Sequence, residues 1–151
     1  MKKTIIAPLA TALLLAATAC SHFTWDDTGD YGGNWYLTEV DSLSTGDRVD
    51  YAPKRVFWAI QGKILEVTDK SEGSGLKDRG IVFHYEQKKD SLLLWEPRYN
   101  VRENGDPEVD NVEALKPFGI NSLRDSFYVE KINGDKMVLR GKLVRLRFKN
   151  F

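Results

Sequence analysis

The stretch SFYVEKINGDKMVLR, residues 126–140, sets two β-rich alternating runs on either side of Asn133-Gly134. Asn-Gly accepts the positive φ that a tight hairpin turn demands, so the pattern reads as two antiparallel strands joined by a short turn. A further run, 143–148, follows after only a few residues. The end of the chain is therefore a meander of three strands.

The same grammar recurs toward the N-terminus. In NWYLTEV, residues 34–40, alternation places Trp35, Leu37 and Glu39 on one face and Tyr36, Thr38 and Val40 on the other. Runs 55–60 and 63–68 flank Gln61-Gly62 as a hairpin, and runs 81–87 and 91–96 flank Lys88-Lys89-Asp90 as another. Residues 69–80, with Gly73, Ser74 and Gly75 among charges, read as a flexible loop. Residues 98–124 form the longest interruption, with a turn at Asn104-Gly105-Asp106-Pro107 and one helical turn over 112–115 ended by Pro117. The total is eight strands with no long helix to cover an open sheet. The expected fold is all-β, an eight-stranded antiparallel up-and-down barrel, because closure removes exposed edges. The same strand spacing also permits a sandwich.

Before these strands lies a different kind of segment. Lys2 and Lys3 precede an apolar run over residues 5–17, and small residues lead to Cys20, the three parts of a secretory signal. The run is too short to span a bilayer as a helix. Around Cys20, Ala17-Thr18-Ala19 resembles the lipobox of bacterial lipoproteins, which implies a mature chain that begins at an acylated Cys20 and is membrane-bound through it. Ser21 in the next position favours an outer-membrane destination. An ordinary secretory cut would fall at the same bond and leave an unpaired thiol. The expected organisation is a signal peptide over 1–19, a lipidated N-terminus and tether over 20–32, and the barrel domain over 33–151. With one cysteine, no disulfide can form within the chain.

Composition narrows the function further. Acidic and basic side chains balance, at 22 each, so nothing supplies the basic excess that nucleic acid requires. The two histidines are His22, in the tether, and His84, on a strand face with Val82 and Glu86. No Cys/His cluster matches a zinc site. Glu103, Asp106, Glu108, Asp110 and Glu113 lack the spacing of a calcium loop and read as a solvated face. No catalytic residue, metal or cofactor is expected.

Gly33-Asn34-Trp35 at the opening of the first strand resembles the G-x-W signature of lipocalins. The whole mature chain resembles the small lipocalin-like domains of Bacteroides-type lipoproteins, through residues 115–120, Phe127, Met137-Val138-Leu139 and Arg147-Phe148. The resemblance implies a non-enzymatic binding module holding a small apolar or amphipathic ligand in the barrel mouth. It also implies an arginine, Arg145 or Arg147, over Trp35, although alternation sets both opposite Leu146 and Phe148. The expected lining is Trp35, Val56, Trp58 and Leu94, with Glu66, Glu86 and Glu96 as polar groups. The alternative is a packed barrel whose surface binds an envelope protein or glycan. Asp41-Ser42-Leu43 and Asp90-Ser91-Leu92 resemble the O-glycosylation site of Bacteroides-type exported proteins, at Ser42 and Ser91. Since the tether enters strand one, the closed end of a lipocalin-like barrel would face the membrane and its mouth would face away.

Overall fold

The structure, a computed structural model, describes residues 29–76 and 79–151. The expected signal peptide over 1–19, Cys20 and the expected tether up to residue 28 lie outside the described residues. Among the described residues nine strands follow one another: β1 (Gly33–Ser42), β2 (Arg48–Asp50), β3 (Val56–Gln61), β4 (Ile64–Asp69), β5 (Ile81–Lys88), β6 (Ser91–Tyr99), β7 (Asp125–Ile132), β8 (Lys136–Arg140) and β9 (Val144–Asn150). β1 pairs with β3, each later strand pairs with the next, and β9 returns to β1, all antiparallel. Eight strands thus close into a barrel, and the sandwich is excluded. The ninth, β2, adds only to the far half of β1, where Val49 meets Val40. Its three exposed residues carry no alternation by which a sequence could reveal them.

The two ends differ. At one end lie the tight turns β3–β4, β5–β6 and β7–β8 and the start of β1, which makes this the closed end. At the other lie the long connections after β1, β4 and β6, which form the mouth. The Asn133-Gly134 hairpin is present, but Gly134 is not in the left-handed region. Instead the Asn133 side chain accepts from the backbone N–H of Asp135 at 3.0 Å and of Lys136 at 2.8 Å, an Asx turn.

Inward positions carry large apolar groups. Trp35, Leu37, Trp58, Leu65, Phe83, Leu92, Leu94, Phe127 and Leu146 are all buried in one cluster. Trp58 lies at its centre, with ring centroids 5.6 Å from Phe127 and 5.0 Å from Phe148. At the closed end the 3-10 turn Gly29–Tyr31 folds under the barrel, and the Trp35 indole donates to the Tyr31 carbonyl at 2.8 Å. The packed fold therefore begins ahead of residue 33, because the signature tryptophan draws the end of the expected tether inward.

The mouth is filled by the β6–β7 connection. Two 3-10 turns, Val112–Ala114 and Lys116–Phe118, bring Leu115, Phe118 and Ile120 into the same buried cluster. The Trp58 indole donates to the Phe118 carbonyl at 3.2 Å. Asn111 caps the first turn by accepting from Glu113 N–H at 2.9 Å. Pro117 does not end the turn, as its spacing suggested, but sits within the first turn of the second one, where a missing N–H leaves no intrahelical bond unmade.

Bulges re-aim side chains. In β1 the pairing with β9 shifts between Leu37 and Glu39, so Val40 joins Trp35 and Leu37 inside while Glu39 turns out, reversing the strict alternation. Outside, Asp41 is only 6% exposed because arginines cover it. Arg48 Nε donates to it at 2.7 Å and Arg147 at 2.9 Å, while Arg145 holds Glu130 at 2.7 Å. Arg145 and Arg147 thus belong to an outer-wall ion network, with Leu146 and Phe148 turned inward as alternation requires. Neither lies over Trp35 as the lipocalin resemblance implied.

The hydrogen bond from Arg48 holds the Asp41 carboxyl below its ordinary range, against the opposing effect of burial. A depressed pKa contributes stability that is complete above the unfolded value, near about 4, and fades as pH falls through the folded one. Asp41→Asn is expected to cost about 2 kcal/mol at neutral pH. In urea melts the gap between wild type and variant should close below about pH 4; a gap that does not change with pH would assign the loss to packing instead.

Candidate functional site

A groove of about 520 Å³ lies on the outer wall across β3, β4, β5 and β6. Its floor is a row of outward residues in cross-strand register, Ala59, Glu66, Val82 and Arg98, with Gln61, Ile64 and His84 in the next row. The chain leaving β6 forms one side through Tyr99, Asn100, Arg102 and Asp106. Asn100 donates to Glu66 Oε1 at 2.8 Å. Gly80 explains how that carboxylate fits: a Cβ there would lie 2.3 Å from Glu66 Oε1.

The groove owes its shape to a second bulge. Pairing between β5 and β6 shifts between Val82 and His84, and Glu96 takes a left-handed backbone with φ 52°. Such a conformation is costly for a residue with a Cβ and is often found beside functional sites. It carries Glu96 out of the inward series of Leu92 and Leu94, so that its carboxylate stands 3.7 Å from His84 Nε2. His84 also stacks on Trp95, at 6.0 Å between centroids. Arg98 is held by Glu108 at 2.9 Å and by the Asp106 carbonyl at 3.3 Å. The groove therefore offers hydrogen-bond acceptors and donors over a partly apolar floor.

A family model described as a lipocalin-like domain matches residues 13–151. The chain belongs to the lipocalin-like domain family. A lipocalin-like protein from Bacteroides uniformis shares this lipocalin-like fold, with a TM-score of 0.62, 19% identity, and coverage of 82% of this chain and 100% of its own. An uncharacterized protein from Bacteroides eggerthii does so at a TM-score of 0.56 and 18% identity, covering 80% of this chain and 98% of its own. No curated protein matches the chain. The lipocalin-like fold is that of a ligand-binding barrel and is typically non-enzymatic.

Within this lipocalin-like barrel the expected lining residues do not converge on one site. Trp35, Val56, Trp58 and Leu94 are buried in the filled interior. Glu66 and Glu96 border the outer groove, and Glu86 is exposed on the wall beside Lys88 at 3.1 Å. The alternation that set Glu96 inside with Leu92 and Leu94 fails because the bulge intervenes. Ser42 Oγ lies 3.1 Å from Ser44 Oγ at the end of β1, and Ser91 Oγ donates to the Lys88 carbonyl at 3.0 Å. Residues of the acidic run are tied down singly, Glu103 to Arg79, Glu108 to Arg98 and Glu113 to Lys116. Among the described residues no group of three or more His, Cys, Asp or Glu is placed to hold a metal ion.

Arg98, Asn100 and Arg102 were missed as site residues because they belong to what reads as a plain loop. One signal was present: Pro97 follows Trp95-Glu96 directly. Proline inside an apparent strand marks an edge or a bulge, and here it marks the bulge that builds the groove.

Proposed function

We propose that the protein is a non-enzymatic, outer-membrane-anchored lipoprotein that binds a small amphipathic ligand in the outer-wall groove. In this reading residues 1–19 are the signal peptide, Cys20 carries the acyl chains, and residues 21–28 tether it to the packed turn that begins at Gly29. The observation that carries the binding site is the groove itself: Ala59, Ile64 and Val82 supply apolar floor, while Glu66, His84, Glu96 and Asn100 stand around it. A second hollow, of about 580 Å³, opens at the mouth between Tyr51, Val56, Asp69 and Pro117, but Trp58 and the Phe118 turn occupy the middle of the barrel, which favours the groove. The filled interior also favours a second reading, in which the wall binds an envelope protein or glycan. Ser42 and Ser91 are proposed glycan acceptors.

Native mass spectrometry of protein purified from its own host tests these points together. The expected spectrum shows an acylated Cys20 and a small-molecule adduct, with occupancy reduced about tenfold by Asn100→Ala, which releases the Glu66 carboxylate. A small-molecule adduct that Asn100→Ala leaves unchanged would remove the groove, a macromolecular partner in its place would favour the second reading, and an unmodified Cys20 would remove the anchor.

A further inference from the structure

The floor row of the groove continues past Ala59. Ala59 pairs with Glu66 on one side and with Asn34 of β1 on the other, and beyond Asn34 stands Phe151, whose N–H donates to the Asn34 carbonyl at 2.9 Å. In the neighbouring row Tyr36 and Phe57 form an outward cross-strand pair, their rings stacked at 4.9 Å with 19° between planes. Phe151 is 78% exposed and stands edge-on to both, 5.2 Å from Phe57 and 6.3 Å from Tyr36. The Tyr36 hydroxyl donates to the Ala52 carbonyl, which fixes its ring. None of the three rings belongs to the buried cluster of the barrel. They form an aromatic shelf on the outer wall, and along the floor row only the Ala59 methyl lies between Asn34 and Glu66.

Groove and shelf together select a ligand class. β3, β4 and β5 are each paired on both sides, so no free strand edge invites an extended peptide. The apolar floor of Ala59, Ile64 and Val82 is interrupted by Glu66, whose carboxylate an acyl chain would have to cross. Glu66, Glu96 and Asp106 stand among Arg98, Arg102 and His84, so no single sign of charge dominates. What fits is a ligand that donates and accepts hydrogen bonds at neighbouring atoms and also presents apolar faces. A sugar ring does both. Its hydroxyls pair with planar carboxylate, amide and guanidinium groups, and its C–H faces carry the slight positive charge that the negative face of an aromatic ring attracts.

We propose that the ligand is a neutral oligosaccharide lying along this row, with one sugar on the shelf of Tyr36, Phe57 and Phe151 and the next over Ala59, within reach of Glu66 and Asn100. This ligand class rests on the groove reading above, to which the shelf adds a second set of contacts. From Asn34 to Val82 the row crosses three strand spacings, about 15 Å, which is more than one sugar ring covers.

The test applies protein purified from its own host to an array of neutral oligosaccharides of glucose, mannose, galactose, xylose and N-acetylglucosamine, with palmitate titrated separately as an acyl probe. Retention of at least one oligosaccharide is expected. In titration calorimetry with that sugar, Phe151→Ala, which removes the exposed ring of the shelf, should weaken binding about tenfold, and Asn100→Ala should do the same from the groove side. Tyr128→Ala removes an exposed ring from β7 and should leave binding unchanged; circular dichroism confirms that each variant is folded. Retention of no oligosaccharide overturns the proposal, and palmitate binding that Asn100→Ala weakens would then show that the groove stands without a sugar. Oligosaccharide binding that Phe151→Ala leaves intact overturns the shelf, and binding that neither variant alters overturns groove and shelf together.

Discussion

Replacing Trp58 by alanine is expected to lower the free energy of unfolding by about 4 kcal/mol. Three losses add in the same direction. Trp58 is fully buried, so its truncation removes the largest class of apolar burial and leaves a cavity that β-strands closed into a ring cannot collapse to fill. Its edge-to-face contact with Phe127 disappears, as does its contact with Phe148. The Phe118 carbonyl also loses the indole N–H, which loosens the turn that fills the mouth. Urea unfolding followed by circular dichroism measures the effect. A loss below about 1 kcal/mol would mean that the Trp58 position is not packed.

Gly119→Ala should cost about 3 kcal/mol. Gly119 ends the second mouth turn with φ 80°, a left-handed conformation that penalises any L side chain by about 1 kcal/mol. Space adds to this, since a Cβ would stand 2.4 Å from Leu146 Cδ2, and Leu146 is buried in β9 with nowhere to go. Gly134→Ala is the matched control, for nothing lies within 4 Å of its Cβ position and its φ is not positive. That variant should stay within about 0.5 kcal/mol of wild type. Equal melting midpoints for the two variants would show that the mouth turn is not pressed against β9.

The strands were legible because each buries one face only, and a period of two survives wherever the ladder is regular. All eight barrel strands could be placed from that period, and barrel closure followed from the absence of any cover for free edges. What alternation could not supply was the effect of one extra residue. The bulge after Leu37 exchanges Glu39 for Val40, and the bulge at Glu96 moves a carboxylate from the apparent interior to the outer wall. The interior was also illegible in one respect. Trp58, Leu94 and Val56 would line an open cup or fill a closed core with the same pattern, and what decides between them is a segment distant in sequence, Leu115 to Ile120. That segment has no period to read, since its shape comes from Asn111, Pro117 and Gly119 acting one at a time. The same is true of the groove, half of which is loop.

The most direct measurement of a filled barrel is diffraction from crystals pressurised with xenon, which enters apolar cavities that water leaves empty. Wild-type crystals should show no xenon between Trp35, Trp58 and Phe127, and Trp58→Ala crystals should show it in the space the indole vacates. A xenon atom inside the wild-type barrel would contradict the filled interior and return the ligand site to the mouth.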